Sequence, residues 1–311
     1  MLYKWETIGH QKQLEQLEED IQNDNISHAY LFDGPEGIGM FHIAKMFANI
    51  LQCPNDFCRK CEVCRAILHN THSDTILIQD DGEIIKIDDI RELIRKTNLT
   101  TQSNYRIFVI ENIERMPIVS QNSFLKTLEE PPGKTMFILT TTQINQVLPT
   151  IRSRVRHFPF FNVDNRLLQK GLEEKFGKDE QLDEVLNIAQ GRPGFAINLM
   201  QTPVLLRQQR DLYNQIDLLL STNNIPQKFL FIEQLDEDKE QLNLFFDAFS
   251  RYLRKLLFDF LSKPDHPLKS RFSFQDLVKL FESFEETRYL IKRNVNKKLA
   301  LENFFLQMER N

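Results

Sequence analysis

The 311-residue sequence predicts an α/β domain of the phosphate-loop type, a parallel sheet with helices on both faces, followed by a small helical domain and an all-α C-terminal domain. Three observations carry this reading. Short β-rich runs alternate with helical patterns through the first half. The run HAYLFDGPEGIGMFHIAK places a strand, a glycine-rich turn and a helix in succession. The second half holds almost nothing β-rich.

In chain order, a helix is expected over Lys12 to Asn23, then a strand over His28 to Phe32 and a helix over Phe41 to Leu51. Strands follow at Thr75 to Gln79, Arg106 to Ile110 and Thr135 to Thr140, each β-branched, aliphatic or aromatic. Between the first two of these, Asp88 to Thr97 opens on an acidic pair that suits a helix N-terminus. Pro159, Pro193 and Pro203 punctuate a short helical section in which Gln181 to Gln190 ends at Gly191. The domains are therefore drawn at 1–160, with a cysteine insertion at about 53–64, then 161–203 and 204–311. In the last of these, Phe245, Phe249, Tyr252, Leu253, Leu256, Leu257 and Phe260 recur at helical steps, and a final helix is expected across much of Phe281 to Met308.

Composition narrows the function classes. A net charge of −5 does not draw the whole chain to a phosphate backbone, so any DNA contact is local or shared with partners. The apolar stretch Leu242 to Leu261 carries Asp247, Arg251, Arg254, Lys255 and Asp259, which a membrane span does not tolerate. With no signal-peptide core in the first thirty residues, a cytoplasmic location is expected.

Gly34, Gly37 and Gly39 fit the phosphate-loop pattern G-x-x-x-x-G-K-[ST] only if Met40 replaces the lysine and Phe41 the hydroxyl residue. A thioether cannot neutralise terminal phosphates, and an aromatic ring cannot hold magnesium. The strand ending Phe108-Val109-Ile110-Glu111-Asn112 stands where a Walker B strand belongs, but Asn112 has no carboxylate to activate water. ATP is therefore not expected to bind productively. Because backbone amides at Gly37 and Gly39 survive, binding without hydrolysis stays open.

All four cysteines, Cys53, Cys58, Cys61 and Cys64, form C-x4-C-x2-C-x2-C. A disulfide framework scatters its cysteines, whereas four close thiolates suit a structural, tetrahedral zinc with no open position for catalysis. Nearby His28, His42, His69 and His72 are read as ordinary positions, not ligands. In Thr150 to His157 (TIRSRVRH), Arg152, Arg154 and Arg156 alternate; alone they read as a solvated basic edge. The pair Glu129-Glu130 before Pro131-Pro132-Gly133 reads as a charged helix end and rigid turn, without companions for acid/base work.

These segments converge. WETIGH at Trp5 to His10, HAYLFDGPEGIGM, the cysteine cluster, KIDDIREL at Lys86 to Leu93, FLKTLEEPP at Phe124 to Pro132 and IRSR at Ile151 to Arg154 together resemble bacterial clamp-loader AAA+ subunits of DNA polymerase III. The resemblance covers the first 200 residues and is strongest to the delta-prime type, in which a degraded nucleotide site accompanies a zinc module and an arginine motif. It implies an AAA+ domain, a helical lid and a C-terminal collar domain for oligomerisation. It also implies that Ser153 and Arg154 match the Ser-Arg-Cys motif, with Val155 in place of the cysteine, and that Arg154 serves as an arginine finger on ATP held by a neighbour. The implied partners are gamma/tau ATPase subunits, a delta subunit, the sliding clamp and primed DNA, and the chain is not expected to be an enzyme on its own. The alternative, a gamma/tau-type ATPase with a divergent site, would carry a lid arginine near GRPGFA (191–196), where Gly194 and Phe195 stand and Arg192 lies close. The spacing between the first two cysteines is shorter than the family usually shows.

Overall fold

The structure is a computed structural model that describes residues 2–308 apart from 56, 99, 223, 238, 263–266 and 294. Helix α1 (Gln11–Gln22) precedes β1 (Ala29–Asp33), α2 (Met40–Gln52), α3 (Glu62–Leu68) and β2 (Thr75–Ile78). Then come α4 (Ile87–Thr97), β3 (Arg106–Ile110), α5 (Ile118–Glu129), β4 (Thr135–Thr141), α6 (Pro149–Arg152) and β5 (Arg156–Pro159). Helices α7 (Asn165–Phe176), α8 (Leu182–Ala189) and α9 (Pro193–Gln201) follow. The chain divides into two compact units, Met1–Ile197 and Asn198–Asn311.

In the first unit all five strands are parallel, in the order β2-β3-β4-β1-β5. Strand periodicity of two explains how both faces are covered. Tyr30, Phe32, Ile107, Val109, Met136 and Ile138 point to one face, where they pack with Leu14 and Leu17 of α1 and Ile43 and Phe47 of α2. Their neighbours Ala29, Leu31, Phe108, Ile110, Phe137 and Leu139 point to the other, against Ile90 and Leu93 of α4 and Phe124 and Leu128 of α5. Sandwiched strands must be apolar on both sides, which is why the sequence reads as continuous apolar runs there. The expected parallel sheet with helices on both faces is therefore observed.

One strand was not legible. β5 lies at the sheet edge and pairs only with β1, so it needs apolar character on few positions and tolerates Pro159 at its end. Arg156 is nonetheless bound inward, to the buried Asp20 of α1, which also accepts a hydrogen bond from the Tyr30 hydroxyl at 3.0 Å.

The second unit is helical, with α10 (Pro203–Ser221), α11 (Ile225–Glu237), α12 (Lys239–Ser262), α13 (Phe274–Lys292) and α14 (Lys297–Met308). The apolar stripe of α12 buries Phe245, Phe249, Leu253, Leu256 and Phe260 as its spacing requires. Phe249 meets Phe284 of α13 with ring centroids 4.5 Å apart and Phe304 of α14 at 5.7 Å. The single helix expected over Phe281 to Met308 is instead two helices, α13 and α14. Asn296 causes the restart: its side-chain oxygen accepts the Leu299 amide at 3.0 Å, the capping bond that begins a new helix. Among the described residues no helix is long and apolar enough to cross a membrane.

Candidate functional site

The turn between β1 and α2 lies at the carboxyl ends of the strands, where open parallel sheets bind their ligands. Gly37 and Gly39 have φ of 78° and 103°, a left-handed backbone that glycine adopts without strain. Around them the turn is tightly enclosed. A Cβ on Gly37 would stand 2.7 Å from that of Phe195, and one on Gly194 would stand 2.8 Å from the Gly37 carbonyl. That carbonyl accepts the Phe195 amide at 2.8 Å, so the start of α9 is seated directly on the loop.

Met40, at the position a phosphate loop gives to lysine, is 5% exposed and packs in the core with Ile43, Phe47 and Phe160. Its Sδ lies 3.3 Å from where a Cβ on Gly34 would be. A cavity of about 340 Å³ opens beside the turn. The described residues lining it include three carboxylates, Glu36, Asp80 and Glu111, and no lysine or arginine. Burial raises the pKa of Glu111, and the charges of Asp80 and Glu36 add to that, while the Asp80 amide donated to its Oε2 at 3.0 Å works against it. His42, also lining the cavity, has its pKa lowered by burial and by the charge of Lys175. Permanent positive charge to meet a triphosphate is absent from this lining.

Asn112 takes a left-handed backbone, φ 51°, just past β3. Its side-chain amide donates to Asp80 at 2.5 Å, and its backbone amide donates to the Thr140 hydroxyl at 3.1 Å. Asp80 in turn pairs with Arg115. Asn112 thus ties three strand ends together, its carboxamide bound to Asp80 and its backbone amide to Thr140, and a carboxamide is not a base that can take a proton from water. Asp80 and Glu36 went unread in the sequence; the acidic run after β2 was the signal for the first, and nothing local marked the second.

At the other end of α2 the four cysteines come together, with Sγ atoms all within 4.8 Å of one another. Cys53 Sγ lies 3.8 Å from Cys58 Sγ and 3.9 Å from Cys61 Sγ, and none of the four is in a disulfide. A tetrahedron of thiolates about 2.3 Å from zinc has edges of about 3.8 Å, so the spacing fits such an ion. Backbone amides support the sulfurs: Cys58 N–H points at Cys53 Sγ, Cys61 N–H at Cys58 Sγ and Cys64 N–H at Cys61 Sγ, at 3.3 to 3.4 Å. Amides of Lys60 and Cys61 bring the Cys58 thiol down to about 6, and burial pushes Cys64 up. Left-handed backbones turn the chain on either side of Cys58, at Phe57 in the short loop from Cys53 and at Arg59 on the way to Cys61. Arg59 stacks over the Phe57 ring at 4.5 Å and binds Glu6 and the Lys4 carbonyl, which ties the loop to the chain's first residues. Among the described residues no histidine belongs to this cluster.

The three alternate arginines do not share an edge. Arg152 ends α6, Arg156 is in β5, and Arg154 occupies the turn between them. A helix, a turn and a strand within eight residues break the alternation. Arg154 donates from Nε to Glu129 at 2.8 Å and from Nη2 to the same oxygen, and from Nη1 to the Thr150 carbonyl at 2.9 Å and the Ser153 hydroxyl at 3.2 Å. Glu129, which had no companion in the sequence reading, has one in the fold.

Comparison with known proteins agrees with this layout. The family model described as DNA polymerase III, delta subunit, matches residues 9–164. DNA polymerase III subunit tau of Bacillus subtilis is 29% identical over 237 residues, 72% of this chain and 41% of the relative. DNA polymerase III subunit delta' of the same organism is 34% identical over 165 residues, 51% of this chain and 50% of the relative. The chain thus spans about half or less of the length of these relatives. The crystal structure of a DNA polymerase III gamma subunit-related protein from Thermotoga maritima aligns with a TM-score of 0.52 at 21% identity, covering 95% of this chain and 99% of that one, a likeness of fold.

Proposed function

This chain belongs to the DNA polymerase III delta-subunit family, and on that premise we propose that it is a delta-prime-type clamp-loader subunit that does not hydrolyse ATP itself. One observation carries the reading: Met40 is built into the core where a working site needs a lysine, beside a cavity lined by carboxylates. Asn112 points the same way, since its carboxamide is committed to Asp80. In this reading the chain works through its neighbours, which are gamma/tau ATPases and a delta subunit, to place the sliding clamp on primed DNA. The division into 1–160, 161–203 and 204–311 is proposed as AAA+ domain, lid and collar.

Arg154, with Ser153 beside it, is the residue proposed to act in a neighbour's site as an arginine finger. A guanidinium supplied there stabilises charge developing on the transferred phosphoryl group and is worth about 10³ to 10⁵ in rate. Cys53, Cys58, Cys61 and Cys64 would hold zinc, which closes the loop and supplies no reactive position. The reading is tested on the reconstituted clamp-loader complex and on the isolated chain. Arg154→Ala is expected to slow the neighbour's site it serves by about 10³ and so to remove that site's share of clamp- and DNA-stimulated ATP turnover. The isolated chain is expected to show no turnover; turnover abolished by Glu111→Gln would instead identify a gamma/tau-type ATPase. That second reading has support in the comparable identity to the tau and delta' relatives, 29% and 34%.

A further inference from the structure

The Arg154 guanidinium is already engaged. It has five N–H donors arranged so that a planar oxyanion can be taken on an edge, two parallel donors at a time. Glu129 Oε1 occupies the edge formed by Nε and Nη2, and the Thr150 carbonyl with the Ser153 hydroxyl occupies Nη1. Neither edge can give an oxyanion two parallel bonds in this arrangement. A phosphate that takes the Nε and Nη2 edge with two parallel bonds must therefore displace the Glu129 carboxylate, which competes for the same donors.

The chain places that competitor firmly. Glu129 is the last residue of α5, and Pro131 and Pro132, two and three residues on, restrict the backbone that leaves the helix. Arg154 sits in a turn held by a hydrogen bond from its backbone N–H to the Ile151 carbonyl at 2.9 Å, directly after α6. Both backbones are thus fixed, and only the side chains need part. The pair is partly open to water, with side chains 35% and 48% exposed. An exposed pair biases its partner's population modestly, by up to about fivefold.

We infer that Glu129 is a positioning residue that holds Arg154 in a stand-by orientation, so that the finger reaches a neighbour's phosphate only when assembly with clamp and DNA makes that contact the better one. The inference rests on the arginine-finger reading of Arg154 and adds a regulator to it. Glu129 touches neither nucleotide nor clamp in this role. It acts by subtracting from the fraction of Arg154 available.

The test is ATP turnover of the reconstituted complex, with and without clamp and primed DNA, for the wild type, Glu129→Gln, Arg154→Ala and the double variant. Glu129→Gln is expected to raise turnover without clamp and DNA about two- to fivefold and to leave stimulated turnover within about twofold. In the Arg154→Ala background the same change is expected to have no effect, which a merely structural role for Glu129 would not produce. Unchanged or lowered turnover in Glu129→Gln, with Arg154→Ala still impaired, overturns the stand-by role and leaves the finger standing. An equal change in both backgrounds also overturns it. Wild-type turnover in Arg154→Ala overturns the finger reading itself, and the stand-by role with it. A thermal-unfolding midpoint for Glu129→Gln matching wild type keeps the comparison free of folding effects.

Discussion

Helix α2 runs from Met40 to Gln52, and its two ends face opposite fates. At the first, a glycine turn keeps the left-handed backbone of a phosphate loop at Gly37 and Gly39 while the side chains that would meet phosphate are a methionine and a phenylalanine. At the second, Cys53 leads a set of four thiols whose spacing matches a zinc tetrahedron, held by three amide-to-sulfur bonds. The contrast separates two kinds of constraint. Backbone at the first end is maintained by packing, because Phe195 and Gly194 sit on the turn, and packing is indifferent to whether a cation is present. Thiols at the second end are useful only as a set, since losing one leaves an open position and weakens the rest.

Removing metal should have the largest effect on that contrast. Chelation, or Cys64→Ser, is expected to cost about 3–5 kcal/mol of stability and to reduce bound zinc from about one per chain to none, read by thermal unfolding and metal analysis. Full stability in a chain free of zinc would place both ends of α2 under packing alone. Placing a lysine there, Met40→Lys, comes next. It should cost about 2–4 kcal/mol by denaturant unfolding, because an ammonium replaces a thioether among Ile43, Phe47 and Phe160. No ATP turnover should appear, and any that did would mean that one side chain had been the whole loss.

The smallest effect is expected at Glu111. Its folded pKa is raised, so it binds protons more readily folded than unfolded, and its ionised form works against folding above that value. Stability therefore rises as pH falls through the folded pKa and levels off below the unfolded one. Glu111→Gln should raise the thermal midpoint by on the order of 1 °C at pH 7.5, with the gain disappearing towards pH 4. A midpoint that fell at neutral pH would instead make the carboxylate a structural anion.

Much of this was visible in the residues. Sandwiched strands announce themselves as apolar runs, so β1 to β4 could be read within a residue or so of their bounds, and Met40, Asn112 and the cysteine spacing needed no coordinates. What stayed hidden depends on distance along the chain. β5 is short, polar and at an edge. Glu129 and Arg154 are 25 residues apart and meet only because α5 and the turn after α6 are brought together. The seating of Gly194 and Phe195 on Gly37 joins segments more than 150 residues apart, and no local pattern encodes it. The break between α13 and α14 did have a local signal, Asn296, outweighed by the apolar periodicity on either side of it.

Met40 also bears on ancestry. A methionine codon is a single base change from a lysine codon, so mutation alone would offer a lysine at this position often. The thioether is part of the wall under Gly34, however, and a lysine there would meet the cost of a charge in that wall before gaining any catalysis, with Asn112 still bound to Asp80. Under the function proposed above, such a site would drift in one direction: each residue absorbed into the core raises the cost of placing a cation there, and selection would act on what the subunit offers its neighbours.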